Sequence, residues 1–234
     1  EKMYPYFSFL SFQEIINKYF SDGFFQVPPY HKKEDFFRAL LNLAIQEKVN
    51  FIVPSTDYEL EILSSNKILF DEHAIKIALC DYAILKILRN RTFLHNFLLE
   101  NNLPTLPLIT IEKHDLSYAV IGKPIYGFGG RGTIVLREQI DLLKYDLKLL
   151  KEHYIWNQFF DKFEEFSCDF CIDFNKKVSP RILRKRTRVS GGFAVVCESL
   201  NNPEIIEIVD RFIELILPFQ SRGFFNVQFI KIDE

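Results

Sequence analysis

The stretch KPIYGFGGRG, Lys123 to Gly132, sets one lysine ahead of Gly127, Gly129, Gly130 and Gly132. Clustered glycines let backbone N–H groups close on a polyanion with no side chain in the way, and a lysine beside them supplies fixed charge. Gly127, Gly129 and Gly132 spell GxGxxG, which fits several nucleotide loops, so the flanking residues decide between them. In a dinucleotide loop the third glycine opens a helix whose N-terminus faces the pyrophosphate. Here Thr133, Ile134 and Val135 follow Gly132, and three β-branched residues in a row predict a strand. A P-loop ends in G-K-[ST], and Arg131-Gly132-Thr133 does not supply it. What remains is a strand, a glycine turn and a second strand, with Lys123 on the strand that enters the turn.

Other charged residues fall on one face of predicted strands. In EEFSCDFCID, alternation places Glu165, Ser167, Asp169 and Asp173 on the polar face and Phe166, Cys168, Phe170 and Ile172 on the apolar one. Cys168 and Cys171 spell CxxC, yet on a strand they point to opposite faces and cannot chelate one zinc. In RILRKRTR, Arg184, Arg186 and Arg188 share a face, and guanidinium groups facing a cleft suit a phosphoryl group or a carboxylate. Ser190, Gly191 and Gly192 after them suit a turn or lid. Asp57 and Glu59 are explained by helix capping, since Thr56 and Glu59 fit a capping box.

These groups need elements to carry them. Phe36, Leu40, Leu43 and Ala44 recur at helical spacing ahead of VNFIVP, a short β-rich run read as a buried strand, and a second helix is expected behind Thr56. That alternation indicates a parallel α/β unit. Cys80 to Leu108 reads as one long amphipathic helix ended by NNLPTLP, and a domain boundary is placed near residues 80 to 90. One helix is expected over EQIDLLKYDLKLLKE and another over PEIIEIVDRFIELILPF. HYIWNQFF, FEEFSCDFCIDFN, RILRKRTRV and FFNVQFIKI read as strands, so the second half is α+β with antiparallel pairing.

The chain has 234 residues, 48% of them hydrophobic, enough for one sizeable core or two small ones. With 29 basic and 31 acidic residues it has no charge excess that would draw it to nucleic acid or anionic lipid. YPYFSFLSF, near the start, lacks a preceding basic cluster and is too short to span a bilayer. The four scattered cysteines suit a reducing compartment, and a cytoplasmic location is expected.

Protein kinases also use a glycine hairpin, but their phosphate-binding lysine lies downstream of it. Lysine then proline, G-x-G-G-R-G and a β-branched strand instead resemble the ATP-grasp superfamily. VNFIVPSTDYEL, NRTFLHNFLLENNLPTLP, YIWNQFF with EEFSCD, RKRTRVSGG and GFFNVQFI occur in that family's order, over roughly residues 25 to 232. The character is that of the carbamoyl-phosphate-synthetase-like branch, which includes carboxylate–amine ligases. The resemblance implies a partial α/β domain over residues 1–85, an ATP-grasp N-lobe over 86–156 and an incomplete C-lobe over 157–234, truncated at both ends. It assigns Lys123 and Arg91 to the ATP phosphates, with Arg89 a nearby competitor for the second place. Gln158, Phe159 and Phe160 fall at the adenine hinge, and Glu165 at the ribose, where Glu164 is the adjacent alternative. Gln228 matches a Mg²⁺-ligand position, with the stronger ligands expected beyond Glu234.

The implied reaction is an ATP-dependent ligation through an acyl phosphate, joining a small-molecule carboxylate to an amine. Arg184 and Arg186 would act on the transferring group. The other readings are a nucleotide-binding regulatory or scaffold module without ligase chemistry, and phosphoryl transfer to a hydroxyl or to carbonate.

Overall fold

The computed structural model describes residues 7–10, 21–111, 118–127, 130–190 and 193–232. The chain divides into two compact units, residues 1–82 and 83–234. The first holds two parallel strand pairs, β1 (Phe7–Leu10) with β2 (Gly23–Gln26) and β3 (Phe51–Ile52) with β4 (Lys76–Ile77). Helices α1 (Lys33–Gln46), α2 (Asp57–Ser65) and α3 (Lys67–Asp71) connect them. Phe36, Phe37, Leu40 and Ala44 of α1 are buried in one cluster with Ile62, Leu63, Phe70 and Ile77, as their 3.6-residue spacing requires. VNFIVP is less buried than its composition suggests, because Ile52 is buried and Val49 packs against the cluster while Phe51 and Val53 are exposed. Thr56 does stand at the N-cap of α2, but no capping box forms. Its hydroxyl donates to Glu59 Oε1 at 2.8 Å, side chain to side chain.

Two expected helices are broken. Cys80 to Leu108 yields α4 (Tyr82–Arg89) and α5 (Arg91–Glu100), separated by Asn90. The Asn90 side chain accepts from Phe93 N at 3.0 Å and starts a new helix, which apolar spacing alone does not reveal. Residues 138 to 153 form a 3₁₀ turn (Gln139–Lys144) and then α6 (Leu147–His153), with Asp146 capping the latter through Lys148 N at 2.8 Å.

The second unit contains two antiparallel sheets. The first is ordered β6 (Ile134–Leu136), β5 (Val120–Pro124), β7 (Tyr154–Gln158). Its core joins Val120, Leu136, Leu142, Leu150 and Trp156. β7 runs to Gln158, past the boundary expected at 156/157. The second sheet is ordered β10 (Phe193–Ser199), β9 (Ile182–Ser190), β8 (Glu164–Ile172), β11 (Gly223–Lys231). One face of β8 buries Phe166, Cys168, Phe170 and Ile172, and Phe170 stacks on Phe225 with ring centroids 5.1 Å apart. Helix α7 (Pro203–Ile216) is tied to the entry of β9 by Arg181, whose guanidinium meets Asp210 at 2.5 Å. Among the described residues no helix is long and apolar enough to cross a membrane.

Candidate functional site

Lys123 is the fourth residue of β5, where it pairs with Ile155 of β7. The chain then turns through the glycines and returns as β6, antiparallel to β5, so Gly132 leads into a strand and not a helix. Gly130 and Gly132 have φ of +69° and +73°, a region that L side chains rarely adopt. Gly132 has a second constraint, since a Cβ there would lie 3.0 Å from Pro124 Cγ. Gly129 lies outside the described residues.

Arg91, the first residue of α5, is aimed at the mouth of this turn. Its Nη1 donates to Pro124 O at 2.5 Å, its Nη2 to Gly127 O at 2.9 Å and its backbone N to Ile125 O at 3.0 Å. Asn90, buried beside it, fixes where the helix begins and therefore where Arg91 points. Burial lowers the pKa of Lys123 first, the Arg91 charge lowers it further, and the Glu165 carboxylate opposes both. Burial likewise lowers the pKa of Arg91. Arg91 and Glu165, from two other elements, thus both bear on Lys123.

At the hinge, Gln158 ends β7 exposed, and Phe159 N donates to Ala119 O at 2.9 Å. Phe159 and Phe160 are half-buried. The Arg137 guanidinium sits 5.0 Å over the Phe159 ring and reaches Asp161 at 3.3 Å, a cover that the sequence did not signal. Asn157, buried in β7, donates to Pro107 O at 2.9 Å and holds the proline-rich segment alongside the hinge.

Acidic and basic side chains pair across the polar face of the second sheet. Of the three arginines expected to share a face, Arg184 pairs with Asp169 and Arg186 pairs with Glu165 at 3.2 Å, while Arg188 is exposed. Arg186 is only 9% exposed, and its Nη1 also donates to Gln228 Oε1 at 3.3 Å. A buried guanidinium needs such acceptors, and alternation on β8 and β11 brings them to it. The adjacent acidic residues separate as alternation requires: Glu165 meets Arg186, while Glu164 meets Lys185. Asn226 completes the face, donating to Asp169 Oδ1 at 2.7 Å. Neither Asp169 nor Asn226 was singled out from sequence as a site residue. The available signal was period-two spacing, which puts Asp169 two positions from Ser167 and Asn226 two from Gln228.

Chemically, the unit offers a side-chain-poor hairpin with a lysine at its base, an apolar hinge, and a sheet face of oxygens and guanidinium groups. Comparison with solved structures finds the overall fold widely. The biotin carboxylase domain of Hydrogenobacter thermophilus 2-oxoglutarate carboxylase, solved with MgADP and bicarbonate, superposes with a TM-score of 0.70 at 15% identity, over 91% of this chain and 52% of that one. Staphylococcus aureus N5-carboxyaminoimidazole synthetase, complexed with ADP, gives 0.73 at 16% identity, over 97% and 62%. Bacillus licheniformis L-amino acid ligase gives 0.64 at 13% identity, over 91% and 53%. The fold is therefore that of the ATP-grasp enzymes. The chain spans 52% to 62% of the length of these three proteins. No protein-family model matches it, and no curated protein does.

Proposed function

We propose that this chain is the nucleotide-binding portion of an ATP-dependent ligase that joins a small-molecule carboxylate to an amine. One observation carries the reading: β5 and β6 form a glycine-tipped antiparallel hairpin with Lys123 at its base, and Lys123 feels both Arg91 and Glu165. Backbone amides of the turn cover the phosphates, and Lys123 supplies charge that a triphosphate would stabilise in its protonated form. Arg91 holds the turn in register and contributes charge at its mouth. The half-buried Phe159 and Phe160 offer an apolar seat for a base.

In the reaction proposed, a carboxylate oxygen attacks the γ-phosphorus of ATP. The bond to the β,γ-bridging oxygen breaks, and ADP leaves. The amine then adds to the acyl carbon, phosphate departs and the amine's proton passes to solvent or base. Fixed cations lower the barrier to the first step, and covering the acyl phosphate protects it from water. Gln228 presents an oxygen donor, the type Mg²⁺ prefers, and Glu165 presents acceptors for ribose hydroxyls; the oxygens of both now face Arg186. Bound Mg²⁺ would neutralise phosphate charge.

Calorimetry with ADP, with and without Mg²⁺, tests the reading. Lys123→Ala is expected to weaken binding by about tenfold or more, the scale of one charge-assisted contact. Unchanged affinity would overturn it. The reading without ligase chemistry draws on the self-neutralised face, where the chain's own arginines occupy Glu165 and Asp169. Acceptor-dependent release of ADP separates the two, and bicarbonate belongs in the acceptor screen because one structural neighbour was solved with it.

A further inference from the structure

The polar face of the second sheet carries a chain of hydrogen bonds that has only one possible direction. An ionised carboxylate can only accept, so Asp169 Oδ1 requires the amide nitrogen of Asn226, which lies 2.7 Å away. That turns the Asn226 oxygen outward, where it accepts from Gln228 Nε2 at 3.1 Å. Gln228 is thereby left with its oxygen toward Arg186, whose Nη1 donates to it at 3.3 Å and to Glu165 at 3.2 Å. The other oxygen of Asp169 takes the Arg184 guanidinium. The strands impose this neighbourhood, since Asn226 lies directly across from Asp169, while Gln228 and Arg184 both lie across from Ser167.

We propose that Asp169 and Asn226 are positioning residues: together they fix the side-chain amide of Gln228 so that its oxygen, and not its nitrogen, faces Arg186 and Glu165. An isolated glutamine amide has two near-equivalent orientations. If the amide turned over, an N–H₂ group would confront the buried guanidinium, donor against donor, and Arg186 would lose an acceptor. Asp169 prevents this from two residues away. That this face also receives a nucleotide rests on the function proposed above.

Exchanging the two end groups tests the direction of the chain. Asn226→Asp alone sets a second carboxylate against Asp169 and leaves it no proton to give. Asp169→Asn with Asn226→Asp reverses that contact while still letting residue 226 accept from Gln228. The expected result is a clear fall in urea midpoint for the single variant and recovery of at least about half of that fall in the exchanged pair, a coupling characteristic of contacting residues. An exchanged pair no better than the sum of its single changes would overturn the proposal. Should the single variant not fold, side-chain amide exchange in the wild type decides. The Gln228 N–H₂ signals, assigned by their loss in Gln228→Glu, should exchange more slowly in wild type than in Asn226→Ala, and equal rates would overturn it. Calorimetry with ADP runs beside these measurements. Recovery of the urea midpoint without any ADP binding by wild type removes the nucleotide reading and leaves the orientation intact, whereas ADP binding without recovery does the reverse.

Discussion

Gly122 and Lys123 are adjacent on β5 and meet different constraints. At Gly122 a Cβ would fall 2.5 to 2.7 Å from three atoms of the Trp156 ring, a separation real contacts do not reach. Trp156 cannot give way easily, because it is 3% exposed and its Nε1 donates to Leu150 O at 3.3 Å. Gly122→Ala is therefore expected to destabilise by about 1 to 3 kcal/mol through overpacking, read by urea unfolding. Lys123 presents an ammonium whose charged form is disfavoured by burial and by Arg91. A polyphosphate would relieve that penalty, which is why the loss of ligand affinity in Lys123→Ala is the decisive residue-scale measurement. Both neighbours were visible as letters, but only the ring over Gly122 explains why the strand has a glycine outside the turn.

Among the elements, the junction of α4 and α5 does most to place charge at the glycine turn. Asn90 is 5% exposed and caps α5, so the first residue of that helix, Arg91, emerges toward Pro124 and Gly127. Asn90→Ala is expected to lose about 1 kcal/mol, the usual value of an N-cap, while Asn90→Asp retains it. Thermal unfolding of both variants checks this. The mechanism makes the carboxylate an equally good acceptor for the Phe93 N–H, so equal losses in the two variants would contradict it. Apolar spacing gave one helix here because it runs continuously across Asn90. The break is set by a side-chain hydrogen bond, which has no periodicity.

On the scale of the whole molecule, each unit has apolar clusters of its own. One in the first unit gathers α1, α2, α3 and the β3–β4 pair, and one in the second contains the chain's single tryptophan at position 156. Trp156 fluorescence therefore reports on the unit that carries the candidate site. ADP at about 100 times its dissociation constant should stabilise that unit by about 2.7 kcal/mol if it binds only the folded form. The expected outcome is an upward shift of the fluorescence-detected transition with ADP concentration. A transition that does not move at saturating ADP would argue against a site in residues 83–234.

The strand–turn–strand character of Lys123 to Leu136, the face carrying Glu165 and Asp169, and the opposition of Cys168 and Cys171 were all legible in the sequence, because each follows from local rules. Glycine permits positive φ, β-branched residues favour extended backbone, and strand side chains alternate. Which carboxylate meets which arginine was not legible. Arg184 finds Asp169 across 15 residues, and Arg186 finds Glu165 across 21 and Gln228 across 42. Those pairings depend on the order β9, β8, β11 and on register, both of which arise from long-range packing. The sequence alone thus determined where charge is concentrated along the chain, and tertiary structure decided which charges neutralise one another, since strand order brings distant residues within hydrogen-bonding distance.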